Sequence, residues 1–457
     1  MRRITITLLM ITVGIVSLAP GGNLLAEVPK QRDTPNILVI LADDLGRGDY
    51  SAFGTRDIRT PNIDRLFREG VTWDNFYASC PVCSPTRASL LSGCYPDRVG
   101  VPGVIRDVPT DSWGWLDPHC TLLPKHLKKA GYQSAIVGKW HLGLESPNTP
   151  LDRGFDHFHG FLGDMMDDYW THLRHGHNFM RKDREVITPE GHATDLFTEW
   201  ACDYLGERSK HAEPFFLYLA YNAPHDPIQP PADWLEKVKK REPNITEARA
   251  KLVALIEHLD DGIGKVLDKL DQSGLMPNTL VIFTSDNGGL LERGANNGPW
   301  RSGKQHVYEG GIRVPCAMRW PGRIAAGSKT AQIGLSMDLF ATTLKLAGLP
   351  PAEGVDGVSL LNRQGEVQKV ERPLYWVRRE GGNMYGGKTI EAYREGNWKL
   401  LQDSPFAPLE LYNLADDPEE KTNLAQKEKQ VFNRLEAALR AQIQKGGSVP
   451  WQAPAAK

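Results

Sequence analysis

The sequence predicts an α/β protein built on a large, doubly wound, mostly parallel sheet flanked by helices, with a smaller C-terminal antiparallel sheet plus a helix. Three observations carry this. Four continuous apolar runs, at 36–42, 133–137, 215–220 and 279–285, have the length and branching of strands buried on both faces. Between them lie segments with apolar residues at helical spacing, the alternation that produces a parallel sheet covered on both sides. After Leu349, Pro350 and Pro351 the pattern changes to short strands separated by turns.

Taken in order, the first strand at 36–42 runs into Asp43 and Asp44, and helices follow at 61–69 and 122–130. The strand at 133–137 runs into Gly138, Lys139, Trp140 and His141. A helix at 194–205 precedes the strand at 215–220, which delivers Asn222, Pro224 and His225. A long helix at 246–270 places Leu252, Ile256, Leu259, Ile263, Val266 and Leu270 on one stripe, with Thr246 suited to its N-cap. The fourth strand, 279–285, ends in Asp286 and Asn287. Each strand thus delivers polar groups at its C-terminal end, where doubly wound sheets bind their ligands. The C-terminal region reads as strands at 373–377, 389–394, 398–401 and 410–414 with a closing helix at 428–445.

Residues 1–26, with Arg2 and Arg3 ahead of an apolar run, read as a secretory signal peptide, an uncleaved N-terminal anchor being the alternative. We divide the rest into a catalytic domain, 27–362, and a small α+β subdomain, 363–457. The whole chain has a formal charge of −2, and without the leader 52 basic face 56 acidic residues, giving −4. A near-neutral body offers no basis for binding nucleic acid or for a stable membrane partner. The six cysteines match neither a disulfide scaffold nor a zinc site, since Cys80 and Cys83 have no second pair downstream.

The chemistry concentrates at Cys83. Pro85 suits the first position of a short helix and Gly93 the position after it, so the helix amides and Arg87, four residues on, would surround an anion beside a thiol. Asp43, Asp44, Asp286 and Asn287 offer oxygen ligands only, which favours Ca²⁺ or Mg²⁺ and leans to Ca²⁺. Lys139 and His141 stand two apart after a strand and would point the same way if extended. His225 and Lys304 complete the set of cationic or titratable candidates. Singly, each has an ordinary reading, a buried thiol or a solvated charge. Their arrival together at strand ends is what points to a site.

The C-x-P-x-R-x-x-x-L-x-G stretch from Cys83 to Gly93 resembles the signature of the type I sulfatases, in the alkaline-phosphatase-like superfamily. The resemblance spans nearly the whole chain after the leader. It includes Asp43 and Asp44, the segment 138–143, Pro224 and His225, Ser285 to Gly288, Lys304, the segment 309–315 and the closing 410–418. It implies that Cys83 is oxidised to formylglycine by a formylglycine-generating enzyme during maturation. It implies one Ca²⁺ per chain, held by Asp43, Asp44, Asp286 and Asn287 with residue 83 as a further ligand. Arg87, Lys139 and His141 would steady the formylglycine, while His225 and Lys304 would grip the sulfate and the leaving oxygen. The hydrate of the aldehyde has two hydroxyls, so one can attack sulfur and the other can expel sulfate. The segment His192 to Asp195 departs from the tyrosine-containing version common at that place, which bears on helix docking.

The expected activity is hydrolysis of sulfate monoesters on a sulfated small molecule or saccharide by an exported enzyme, periplasmic or extracellular. Exo-acting removal of sulfate from saccharide ends is the favoured form. A phosphomonoesterase or phosphodiesterase of the same fold, and a catalytically silent protein that binds sulfated glycans, are the alternatives. Loops at 101–118, 163–190 and 288–303 are expected to wall the pocket, and Trp113, Trp115, Tyr169, Trp170, His172 and Trp300 are candidates to stack on a sugar.

Overall fold

The four apolar runs lie side by side at the centre of a sheet. In chain order the strands are β1 (Asn36–Ala42), β2 (Val71–Tyr77), β3 (Gln133–Lys139), β4 (His157–Phe161), β5 (Leu173–Arg174), β6 (His177–Asn178), β7 (Met180–Lys182), β8 (Glu185–Val186), β9 (Phe215–Ala220), β10 (Thr279–Ser285), β11 (Cys316–Arg319), β12 (Ser328–Leu335), β13 (Leu374–Arg379), β14 (Thr389–Glu395), β15 (Trp398–Gln402) and β16 (Glu410–Asn413). The computed structural model describes residues 34–381 and 388–453. The leader expected over 1–26 lies outside the described residues. Among those described, the large sheet runs β12-β2-β11-β10-β1-β9-β3-β4-β7-β8.

Strands β10, β1, β9, β3 and β4 pair in parallel, and β11 turns antiparallel between β10 and β2. Their register aligns the strand ends: Ala42 faces Ser285, Leu41 faces Ala220, and Gly138 faces Ala220. A Cβ on Gly160 would lie 2.0 Å from the Gly138 carbonyl oxygen, and one on Gly138 would lie 2.0 Å from that of Ala220. Only glycine lets these three strands approach so closely.

Helices cover both faces, as the continuous apolar runs require. Ile37, Val39 and Leu41 face a core built with α2 (Cys83–Ser92), α3 (Leu123–Leu127) and α8 (Asp338–Leu346). Leu38, Ile40 and Ala42 face the other, built with α1 (Pro61–Glu69), α4 (Ala193–Arg208), α5 (Ala232–Arg241) and α6 (Glu247–Gln272). The Thr246 hydroxyl caps α6, accepting from the Arg249 amide. Helices α5 and α8 were not expected. α5 is short, its apolar face reduced to Trp234, Leu235 and Val238 with only Val238 fully buried, whereas α8 is interrupted by Thr342 and Thr343. No described helix is long and apolar enough to cross a membrane.

The four C-terminal strands form an antiparallel sheet, β13-β14-β15-β16, against which α9 (Lys429–Lys445) packs. This sheet shares a core with the large one: Leu374, Trp376, Leu400 and Leu411 cluster with Tyr77, Val307 and Ile312. A buried charge cluster fastens the same joint. Lys399 Nζ donates to Glu309 at 2.9 Å and pairs with Glu420 at 2.8 Å, with all three side chains fully buried. Glu309 opens the one-turn helix α7 (Glu309–Ile312), five residues beyond Lys304. Replacing Lys399 by methionine should leave Glu420 without its ion pair and Glu309 with Arg313 and the Tyr77 hydroxyl alone, and cost about 3–5 kcal/mol, measured as a drop in urea or thermal midpoint.

Candidate active site

Two neighbouring strand ends bring the acids together. Asp43 and Asp44 follow β1, Asp286 and Asn287 follow β10, and the amide of Asp286 donates to Ala42 O at 3.1 Å. Asp44 sits in the left-handed region at φ 69°, which turns its side chain out of the strand direction, and its amide donates to Asp286 Oδ1 at 3.2 Å. Asn287 Nδ2 donates to Asp44 Oδ1 at 2.7 Å. That contact orients the amide and leaves Asn287 Oδ1 buried without a hydrogen-bond partner, as Asp43 Oδ1 also is. Buried acceptors of this kind are costly unless something satisfies them. An all-oxygen donor set with two orphaned oxygens fits a hard cation such as Ca²⁺.

Cations of the chain meet the same acids. Arg87 donates through Nε and Nη2 to Asp286 Oδ2 at 3.1 and 2.8 Å, and through Nη1 to Lys139 O at 3.0 Å; its Nη2 lies 3.3 Å from Asp43 Oδ2. Lys139 Nζ bonds Asp43 Oδ2 at 2.5 Å, and Lys304 Nζ bonds Asp44 Oδ2 at 2.7 Å. Burial opposes ionisation of Asp43, but Lys139 first, with Arg87, outweighs it and holds its carboxyl well below the usual range. Burial, and then Asp43, push Asp286 up instead. The two acids are thus unequally compensated, and the cluster still calls for positive charge.

Cys83 is the first residue of α2, with Val82 as N-cap and Gly93 in the left-handed region at φ 73° ending the helix. Pro85 is therefore the third helical residue rather than the first. The whole helix is buried, Cys83 being 3% exposed. Burial, followed by the Asp43 carboxylate, pushes the Cys83 thiol well up, so it is not a thiolate at neutral pH. One donor atom from each of Asp43, Asp44, Cys83 and His225 lies within 4.8 Å of the others. Cys80 is not part of this group; its thiol donates to Val377 O at 3.3 Å.

His141 reaches the site by a different route from the one expected. β3 ends at Lys139, and His141 lies beyond it at φ 58°, so the two residues do not share an extended segment. His141 Nε2 is 2.8 Å from Ile105 O and must carry the proton that it donates, which leaves the buried Nδ1 with a free lone pair. Burial, then Lys139, push the His141 pKa well down, so the ring is neutral. His225 Nδ1 donates to Asp226 O at 2.6 Å, so its Nε2 accepts from Lys304 Nζ at 3.0 Å. Tyr169 holds this loop, donating its hydroxyl to His225 O at 3.0 Å and lying 2.8 Å from Asn222 O. His192, at the atypical segment, caps α4 and stacks on Tyr169 with ring centroids 5.0 Å apart.

These groups open into a cavity of about 180 Å³ lined by Cys83, His141, His225 and Lys304. The three expected wall loops all contribute: Val104 and Arg106 from the first, Asp164, Met165 and Arg174 from the second, Leu290 from the third. None of the six candidate stacking residues lines it. Tyr169 and His172 are buried by their hydrogen bonds, Trp113 stacks on Trp451 and Trp300 lies between Arg47 and Arg313. Sequence reasoning also missed Gln305 and Arg378. Arg378 comes from β13 of the C-terminal sheet, and nothing in its local sequence marks it as facing a cavity formed by residues almost three hundred positions earlier.

The Sulfatase family model matches residues 35–349, and the model described as N-sulphoglucosamine sulphohydrolase, C-terminal, matches 300–446. N-acetylgalactosamine-6-sulfatase of Mus musculus is 37% identical over 424 residues, covering 86% of this chain and 78% of that protein. The Homo sapiens protein of that name is 38% identical over 387 residues, covering 80% and 72%. The solved structure of Ps i-CgsB in complex with k-i-k-neocarrahexaose superposes with a TM-score of 0.82 at 28% identity, covering 92% of this chain and 95% of that one. With most of the large domain matched by one family model and relatives aligned over most of their length, the chain belongs to the sulfatase family and is a sulfuric ester hydrolase.

Proposed function

We propose that the chain is an exo-acting sulfatase of sulfated saccharides that works through a formylglycine made from Cys83 and one Ca²⁺ held by Asp43, Asp44, Asp286, Asn287 and residue 83. The observation that carries this reading is the crowding of Asp43, Asp44, Cys83 and His225 within 4.8 Å on the wall of a cavity that Lys304 and His141 also line. Bound at the four oxygen ligands, the cation would supply charge for an anionic ester, and the aldehyde hydrate would supply one hydroxyl for attack and a second for sulfate release. Export follows the leader at 1–26, and a formylglycine-generating enzyme acts before the chain is mature. Residues 27–362 then form the catalytic domain and 363–457 a C-terminal subdomain.

The chain's own groups divide the work. Arg87 fixes Asp286 and Asp43, and Lys139 fixes Asp43, so the acids are held in place before any ester arrives. His141 Nδ1, with its lone pair free because Nε2 donates to Ile105 O, takes a proton from the residue at 83. Lys304 is the proton donor to the leaving alcohol: burial opposes its charge, but Asp44 and the other acids outweigh that and keep it protonated. Its bond to His225 Nε2 aims it. The saccharide reading draws on the relatives named N-acetylgalactosamine-6-sulfatase and on the neocarrahexaose complex. The small volume of the cavity, about 180 Å³, supports exo action.

Active protein should carry an aldehyde at position 83 by peptide mass. Cys83→Ala should abolish sulfate release, and Cys83→Ser, with a single hydroxyl, should be trapped as a sulfate ester or nearly inert. Full activity from a shown free thiol would sink the mechanism. Chelation, or Asp286→Ala, should cost at least about 100-fold in kcat, with Ca²⁺ restoring the chelated wild type; stoichiometric zinc instead would favour the phosphomonoesterase reading. On a panel of defined sulfated mono- and oligosaccharides beside an aryl sulfate, terminal sulfates should give the highest kcat/KM. Equal cleavage of internal sulfates would refute exo action.

A further inference from the structure

The cavity has an outer layer of charge that the proposed chemistry does not use. Arg106, Arg174 and Arg378 line it beside Asp164. Each guanidinium is held by an acid. Arg174 grips both oxygens of Asp164, Nε to Oδ1 at 3.0 Å and Nη2 to Oδ2 at 3.1 Å, and its Nη1 donates to Asp167 at 2.8 Å. A further carboxylate, Asp107, lies 3.9 Å from Arg174. Arg106 and Arg378 share Glu380, at 2.9 and 3.0 Å. The inner end of the cavity would gain the cation of the proposed site, whereas around Arg174 three carboxylates, Asp164, Asp167 and Asp107, outnumber the one guanidinium.

That difference selects among substrates. A second sulfate or a carboxylate on the reacting sugar would find the Arg174 guanidinium occupied and would lie beside Asp164, a like charge that is itself buried. A pair of hydroxyls meets no such penalty. Each Asp164 oxygen takes one N–H from Arg174 and keeps lone-pair capacity for a hydroxyl donor. The pair is also stiff. Asp164 is 7% exposed, and Arg174 lies on the β5–β6 ribbon, where the Asp167 amide donates to Leu173 O at 2.8 Å. A bidentate fork held in this way can discriminate without reorganising.

Building on the saccharide reading above, we propose that Asp164 and Arg174 form a sugar-reading fork that accepts neighbouring hydroxyls of a neutral, singly sulfated sugar residue and rejects a second sulfate or a carboxylate on that residue. The test measures kcat and KM for a neutral N-acetylhexosamine monosulfate, the same sugar with a second sulfate, a sulfated uronate and an aryl sulfate. Wild-type enzyme should favour the neutral monosulfate over the other two sugars by about tenfold or more in kcat/KM. Asp164→Asn, which keeps the shape and removes the charge, should shrink that preference by about tenfold, mainly through KM. Equal or faster turnover of the disulfated sugar by wild type, or an unchanged preference in Asp164→Asn, would overturn the fork while the saccharide reading stands. Sulfate release from the aryl ester and from none of the sugars would overturn both. The wild-type ratio decides the matter by itself should the variant not fold.

Discussion

Three carboxylates, Asp43, Asp44 and Asp286, are buried beside one another at the ends of β1 and β10, and the site is organised around the cost of keeping them there. Two unit charges 4 Å apart interact by about 4 kcal/mol at an effective dielectric constant of 20, so such a cluster exists only with cations close by. Arg87 from α2, Lys139 from β3 and Lys304 from the loop before α7 supply them at 2.5–3.3 Å. These residues come from widely separated parts of the chain, and each is committed before any substrate is present. Preorganisation of this kind is where much of an enzyme's electrostatic advantage lies. The orphaned oxygens of Asp43 and Asn287 show that the protein's own cations leave part of the demand unmet.

Holding the cluster requires backbone conformations that a free chain avoids. Asp44 and His141 both occupy the left-handed region, at φ 69° and 58°, at about 1–3 kcal/mol each. The surrounding scaffold offsets this: β1 is hydrogen-bonded on both sides, α2 is buried along its whole length, and the C-terminal sheet closes over the same region through the Lys399 cluster. The C-terminal strands are therefore part of the site's support, and through Arg378 part of its lining.

Much of this was legible in the residues. Continuous apolar runs marked the four central strands because burial on both faces leaves no room for alternation, and those runs proved adjacent in the sheet. The long stripe of α6 was equally plain, and its Thr246 cap formed as expected. Elements with weak patterns escaped: α5 because its apolar face is only three residues, Trp234, Leu235 and Val238, among charged ones, and β2 because its half-buried alternation, Val71 and Trp73 inward with Thr72 and Asp74 less so, resembles a surface segment. The candidate stacking aromatics failed for a related reason. A loop tryptophan or tyrosine has as much apolar area to lose in packing as in binding a sugar, and Tyr169 spends its hydroxyl on the His225 loop.

The sequence by itself determined which chemistry collects at strand ends, because an apolar run that stops at an acid or a lysine states its own direction and its own terminus. Asp43, Asp44, Lys139, His141, His225 and Asp286 could be named on that ground, whereas Cys83 opens a helix and Lys304 lies in a loop, so these two stood out through the motif and the resemblance it carries. What only the tertiary structure decided is how these groups divide among themselves, and which residues stand around them. The register of β1 against β10 puts Asp286 in reach of both Asp44 and Arg87, and the contact to Ile105 O sets the tautomer of His141. Asp164, Arg174 and Arg378 reach one cavity from β4's following loop, β5 and β13. Contacts between residues so far apart in the chain leave no local periodicity, since each side chain's neighbours are chosen by strand order and loop closure rather than by adjacent residues.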